Sequence, residues 1–453
     1  MSLKKIILRN KTREFRRYLK SINQDRLRIQ SEKKVLSVFK NAAKNIPAYK
    51  EILAAHNVSP EEIYDIYDFR RKVPVLDKQK VFTAYMGRVE KLCNTAYFSD
   101  ISEIVSSSGH SGLFSYGLNN RSAQRRFTEF SDVMLDYTFG ISDKKTLLIN
   151  ALPMGIKINS DYLAAANTGP RDDTIICLLN EFASKFEQVI IAADNNFAKN
   201  MLEDAICLGV DIKKTKIHLI LGEEILAENI RSYLAYLLGQ DLDRPDSAFI
   251  GSSFGIAELG LNLMFETKET ISLRRQMQKD EPYKMCPEIF HYFPTRIYIE
   301  ELKSENDREL VMTNLDENAV LPLIRYNTKD CGRVIVRNPE LSIDLPVVEL
   351  YDRDKFMTSG GAIIMPQLIE EALFSDFSIP PYITKYFRLS NINSKLNIDI
   401  QLKKTKEQNP SFIEKIESVL SSFLKVPFTV KIYPYYSFPY GMEVDYERKF
   451  RNI

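Results

Sequence analysis

Apolar residues recur at helical spacing between positions 30 and 45, where Val35, Leu36, Phe39, Ala42 and Ala43 share one face. Two proline breaks follow, in NIPAYKEIL and YDFRRKVPVLDKQKVF, and separate short helical stretches. The middle of the chain alternates apolar runs (KTLLINALPM, EQVIIAAD, KIHLILGEEI) with helical patterns such as NNFAKNMLEDAICLG. That alternation predicts α/β layering with largely parallel strands. Over 295–350 the pattern changes: TRIYIEEL, RELVMTNL, CGRVIV and LPVVEL alternate as short strands with no helix between them. An antiparallel or barrel-like subdomain is expected there.

The last hundred residues read as a small α+β unit. Pro366 opens a helix over QLIEEALF, and KLNIDIQL and FTVKIY are strands. SFIEKIESVLSSFL carries Ser411 and Glu414 at capping-box spacing, with Phe412, Ile413, Ile416, Val419, Leu420 and Phe423 in one stripe. The segment DRDK at 352–355 is the expected hinge, dividing the chain into 1–351 and 352–453.

A chain of 453 residues with 44% hydrophobic content exceeds a single core, since cores stop growing near roughly 250–300 residues. Its 62 basic and 60 acidic residues leave a net charge of +2, which gives no reason to expect nucleic acid as a partner. Five scattered cysteines without a CxxC pair suit a reducing cytoplasm. Cys286 and His291 are five apart, but no second pair stands at zinc-ligand spacing. The first twenty residues carry eight basic side chains and one acidic. They read as a solvated helix face or as a contact for an anionic surface. No window reaches the 18 or so apolar residues of an integral membrane span.

Four stretches carry candidate chemistry. SSSGHSGLFSYG, residues 106–117, is either an ordinary turn or a loop whose backbone N–H groups and hydroxyls wrap a phosphate. No GK[ST] follows, so it is not the common P-loop. In GSSFGIAELG, residues 251–260, an aromatic beside a glycine can stack on adenine and Glu258 can hold Mg²⁺, or the stretch is a plain strand-to-helix turn. Asp330 ends the apolar run LPLIRYNTKD and can accept two hydrogen bonds from a ribose diol, or sit in a turn. Lys449, in the tail ERKFRNI, is a solvated lysine unless the fold brings it to a site.

Taken in order, these stretches resemble the adenylate-forming acyl-activating superfamily, and within it the phenylacetate–coenzyme A ligase branch with its CapK-like members. IPAYKEIL and VPVLDKQKV match that family's opening pattern, and SSGHSGLF its TSGTTGKP-like loop. LILGEEIL matches its gGE segment, FGIAE its YGlsE segment, and RELVMTNL with LPLIRYNTKD its GELvlT and plIRYrTgD segments. DKFMTSGGAIIMPQLIE matches the hinge stretch and RKF the context of a terminal lysine. The chain departs from the pattern too. Leu113 and Phe114 replace the loop's lysine and proline, Lys329 replaces a glycine, and Asp352 falls where an arginine precedes the hinge aspartate, with Arg353 one place late.

The resemblance implies an α/β fold: a large N-terminal domain of layered α/β subdomains plus a small β-barrel, and an α+β C-terminal lid. It implies ATP, Mg²⁺ and coenzyme A as cofactors and a small carboxylic acid as substrate. The acid would be activated to an acyl-adenylate and passed to coenzyme A. By the same resemblance Lys449 and Glu258 are catalytic, with Glu258 on Mg²⁺. Ser107, Ser108, Gly109, His110, Ser111, Gly112, Glu224, Phe254, Gly255 and Asp330 bind the nucleotide. Met154, Tyr162 and Ser252 border the acid and Asp354 is the hinge. The expected location is the cytoplasm, and a homodimer is one open form of the assembly. Two other readings stay open: transfer to a carrier protein, amine or polysaccharide precursor, and a non-catalytic nucleotide-binding relative.

Overall fold

The computed structural model describes residues 3–107, 113–303, 308–351, 357–392, 395–441, 444–446 and 452–453. A hairpin of β1 (Ile101–Ser106) and β2 (Tyr116–Asn120) precedes the main sheet. The parallel strands are β3 (Thr146–Asn150), β4 (Ala164–Asn167), β5 (Gln188–Asp194), β6 (Lys216–Gly222) and the start of β7 (Ile250–Ile256). The antiparallel strands are β8 (Gly260–Phe265), β9 (Glu288–Tyr292), β10 (Ile297–Lys303), β11 (Arg308–Asn314), β12 (Tyr326–Ile335) and β13 (Val347–Tyr351). All eleven join in the order β10-β11-β12-β13-β9-β8-β7-β6-β5-β3-β4. The antiparallel strands expected over 295–350 therefore continue the parallel strands through β7, rather than standing as a sheet apart.

The apolar runs of the parallel strands are explained by burial on both faces. Leu147, Ile149, Val189, Ile191, Leu219 and Leu221 face the helices Asp172–Phe182, Asn195–Cys207 and Glu228–Leu237. Their alternates Leu148, Ile190 and Ile220 face the helix Arg121–Phe139 and Leu8 of the N-terminal helix Leu3–Lys20. Period-2 alternation is hidden in these strands because both phases are apolar.

The C-terminal unit pairs β14 (Met357–Ser359) with β15 (Ala362–Ile364), and then orders β16 (Ile383–Ile392), β17 (Lys395–Leu402) and β18 (Phe428–Tyr433) as a second sheet. The helix Pro366–Leu373 starts at the expected proline. The helix Pro410–Phe423 begins earlier than the Ser411–Glu414 spacing suggests. Pro410 occupies its first turn with φ preset, and the Asn409 side chain accepts from Ser411 N at 3.0 Å, so Asn409 is the cap.

This unit packs on the central sheet's helices through an apolar seam continuous with their core. Tyr233 meets Phe374 and Tyr236 meets Phe377, with ring centroids 5.7 and 5.2 Å apart. The helix Glu228–Leu237 has no side-chain cap of its own. Its first N–H groups, on Glu228 and Asn229, donate instead to the Glu371 carboxylate of the C-terminal unit at 2.8 and 2.9 Å. Asp354, expected as the hinge, lies outside the described residues. Among the described residues, no helix is long and apolar enough to cross a membrane.

Candidate functional site

Two cavities meet beyond the carboxyl ends of β5, β6 and β7, where ligands of open α/β sheets bind. The first has a volume of about 190 Å³ and mixed polarity. Ser107, Met154, Glu224, Ser252, Phe254, Gly255, Glu258 and Asp330 all line it. The sequence distances between these residues are large, and the fold closes each of them in a distinct way.

Ser107 follows β1, and its loop is tied at the base: Ser107 N donates to Ser115 O at 2.9 Å, and Ser115 N to Ser107 Oγ at 3.0 Å. Residues Ser108, Gly109, His110, Ser111 and Gly112 lie outside the described residues. The hairpin is seated against the turn carrying Glu258 by Gly117. A Cβ on Gly117 would stand 2.1 Å from the Ala257 carbonyl oxygen and 3.4 Å from Glu258 Cα. Gly117→Ala is therefore expected to push the hairpin off the cavity and to reduce the nucleotide binding that the sequence resemblance implies for this loop at least tenfold, while circular dichroism still reports a folded chain. Unchanged ATP affinity in this variant would mean that the loop stands away from the nucleotide.

Glu258 is 7% exposed and accepts a hydrogen bond from Tyr326 OH at 2.7 Å. Tyr326 begins the strand that carries Asp330, so the two carboxylates are placed by one element. The segment VPVLDK pairs alongside: Leu76 N donates to Arg325 O at 2.9 Å and Asn327 N to Leu76 O at 2.7 Å. Asp330 is 5% exposed, and its N–H donates to Thr328 Oγ1 at 3.3 Å. Lys329 has φ +64°, the left-handed region that favours glycine. A lysine bears this conformation, its N–H donating to Asn327 Oδ1 at 2.8 Å and its Nζ 3.2 Å from Glu309. Gly255 is required by close approach, since a Cβ there would lie 3.0 Å from Asn262 N and Leu261 Cα.

Electrostatics at this wall are acidic. Burial, with Glu224 nearby, pushes the Asp194 carboxyl behind it up to about 7, and burial raises Glu288, which lines the cavity, to about 7. Two lysines answer this charge. Lys78 lines the cavity and its Nζ lies 3.4 Å from the Leu113 carbonyl, beside the loop whose own lysine is missing. Lys385 reaches in from the C-terminal unit. Burial works against its charge, but Glu224, Glu370 and Asp194 outweigh burial and raise its pKa.

The second cavity, about 180 Å³, is mostly apolar and shares Gly222, Glu223, Ser252, Ser253 and Gly255 with the first. Its floor is the helix Arg121–Phe139, which presents Phe127, Ser131, Leu135 and Thr138 as a stripe, and Phe249 and Phe265 close it. Ser252 is fixed at the junction, its N–H donating to the buried Glu266 at 2.6 Å; Glu266 is itself held by Arg231 and Arg274.

The residues singled out in the sequence divide unevenly. Tyr162 lines neither cavity; it packs against the apolar cluster that holds Leu8, Leu135 and Phe139, with its N–H on Ser160 Oγ at 3.1 Å. Lys449 lies outside the described residues. On either side of it, Tyr446 stacks edge-on against Phe197 at 5.0 Å, and Asn452 lines the first cavity with its carbonyl accepting from Leu389 N at 2.7 Å. Lys78, Lys385 and the 121–139 helix were not foreseen. The i, i+4, i+8 stripe of that helix was visible in the sequence; the lysines carried no motif of their own.

No family model and no curated protein matches the chain. Solved structures do. The chain superposes on 2-hydroxyisobutyryl-CoA ligase in the postadenylation state in complex with R3-HIB-AMP with a TM-score of 0.70 and 14% identity, covering 95% of this chain and 90% of that one. The fold is that of the adenylate-forming enzymes. Against the same ligase in its thioesterification state, with 2-HIB-AMP and CoA, the TM-score is 0.58 at 15% identity, covering 91% and 87%. An acyl acid amido synthetase, GH3.15, gives 0.55 at 14% identity, covering 90% and 86%.

Proposed function

We propose that this chain activates an apolar carboxylic acid with ATP and passes the acyl group to the thiol of coenzyme A. The observation that carries this reading is the junction of the two cavities. A mixed-polarity chamber with Glu258 and Asp330 on its wall opens, at Ser252 and Gly222, onto an apolar chamber lined by aromatic rings. An acid seated in the second would present its carboxylate to a phosphorus seated in the first. A carboxylate oxygen attacks the α-phosphorus, the bond to the bridging oxygen breaks, and pyrophosphate leaves. The thiolate then adds to the acyl carbonyl and AMP departs.

The chain's own part is positioning and charge stabilisation. Asp330 takes the ribose hydroxyls, Phe254 and Gly255 bound the adenine, and Ser107 with residues 108–112 holds the phosphates. Lys78 supplies the cation that the loop lacks. Lys449 bridges carboxylate and α-phosphate, and Asp354 is the hinge of the lid. Glu258 fits Mg²⁺, which takes one or two protein carboxylates together with substrate phosphates and water; when bound, the ion neutralises phosphate charge.

The acid is a single aromatic ring or a short branched chain. An apolar cavity of roughly 150 Å³ accepts benzene, and this one is about 180 Å³. The similarity to an amido synthetase favours a second acceptor class, amines. An ATP–pyrophosphate exchange screen over aryl, arylacetic and short branched acids, followed by product analysis with coenzyme A or amines, separates the two. Thioester formation supports the proposal; amide formation alone replaces its second step.

A further inference from the structure

Opposite the helix Arg121–Phe139, the second cavity is walled by the sheet, and strand register divides that wall into steps. Nearest the junction with the first cavity stand Gly222 and Ser253. Two residues back along the strands, Ala192 of β5 pairs with Ile220 of β6, and Ile220 with Gly251 of β7. Two residues further back come Leu148 of β3 and Phe249, which precedes β7. A step of two residues is about 6.6 Å deep, since a strand rises about 3.3 Å per residue. Side chains are small near the junction and large at the far end.

Gly251 belongs to the middle step by register, yet the cavity is lined by Phe249 there and not by the glycine. The Phe249 ring leans along its own strand and covers Gly251. A Cβ on Gly251 would stand 2.3 Å from Phe249 Cζ, 2.4 Å from its Cε1 and 3.2 Å from Ile271 Cδ1, so only glycine leaves the ring this place. The ring is held from two other sides. Phe139 meets it edge-on with centroids 5.5 Å apart. Its backbone is pinned to β6: Phe249 N donates to His218 Nδ1 and Leu219 N to Phe249 O, both at 2.8 Å. Burial lowers the His218 imidazole to about 3, so the ring stays neutral and Nδ1 stays an acceptor.

Phe249 thus closes the far step of the cavity and fills part of the middle one. We propose that Phe249 is the residue that sets the length of the acid, its ring over Gly251 admitting a single ring or a short branched chain and refusing acids longer by several methylenes. Removing the ring opens the cavity by about one step, or 6.6 Å; a side chain on Gly251 displaces the ring and distorts the room that the short acids use. This deepens the adenylation reading above and rests on it, and its test separates the two.

The test is acid-dependent pyrophosphate exchange at saturating ATP, read as kcat/KM for benzoic and isobutyric acids against phenylbutanoic and octanoic acids. One methylene too many or too few in an apolar pocket changes kcat/KM by roughly 10–200-fold, so wild type is expected to favour the short acids by about 10²-fold or more. Phe249→Ala should raise the long-to-short ratio by about 10²-fold with KM for ATP unchanged. Gly251→Ala should raise KM for the short acids by about tenfold or more, again with KM for ATP unchanged. Should the void left by Phe249→Ala prevent folding, Phe249→Leu keeps apolar volume and is expected to shift the ratio the same way, by about tenfold. The wild-type ratio in a folded Phe249 variant, an equal fall for every acid, or a wild type that already prefers the long acids overturns the role of Phe249. Absence of exchange by the wild type with every acid overturns the adenylation reading, and this inference with it.

Discussion

Asp330→Ala is expected to weaken ATP binding by about 10²-fold while leaving the fold intact. Asp330 is nearly buried in the wall of the first cavity, on a strand fixed by pairing with VPVLDK and by Tyr326. Charge-assisted hydrogen bonds contribute roughly 1.5–3 kcal/mol each. Loss of a bidentate acceptor to a ribose diol therefore costs about 3 kcal/mol after water repairs part of the loss. The side chain has no large apolar role, so calorimetry should show weaker ATP and an unchanged melting temperature within a few degrees. Equal ATP affinity in variant and wild type would remove Asp330 from the nucleotide site.

Glu258→Gln is expected to lower acid-dependent pyrophosphate exchange by about 10²-fold or more, with most of the magnesium dependence lost. The amide oxygen can still accept from Tyr326 OH, now at 2.7 Å from Glu258 Oε1, so shape and packing are retained. What changes is charge, and a hard cation in a site with few protein ligands depends on it. Tyr326→Phe is the control: it frees the carboxylate without neutralising it, and its effect should be much smaller. Survival of exchange with its magnesium dependence in Glu258→Gln would leave Glu258 a structural partner of Tyr326.

Much of the site was legible because its motifs are local. GSSFGIAELG and LPLIRYNTKD each carry small or charged residues where backbone and ligand come close, and both fall on the cavity wall. The strands were legible from apolar runs, and the change to alternation after residue 295 marked four of the antiparallel strands, while β8 and β9, which precede it, went unmarked. What escaped has a physical reason in each case. Tyr162 was placed by sequence nearness to Met154, but its ring completes a packing cluster behind the sheet. Ser411 lost the cap to Asn409 because Pro410 presets the first turn. Lys329 stands where the resemblance expects a glycine, and its backbone takes the left-handed region that favours glycine. Lys78 and Lys385 matter through residues far away in sequence, Leu113 and Glu224, and no spacing within the chain announces such pairs. The core shared between the sheet helices and the C-terminal unit was likewise invisible, since apolar stripes do not name what they pack against.

The most direct test of the account is ATP–pyrophosphate exchange by the wild type with a carboxylic acid whose carboxyl oxygens are labelled with ¹⁸O. Attack by the carboxylate on the α-phosphorus predicts acid-dependent exchange and, after the acyl group is transferred, one labelled oxygen in the AMP released. Exchange without an acid, or AMP that carries no label, would contradict carboxylate activation through an acyl-adenylate.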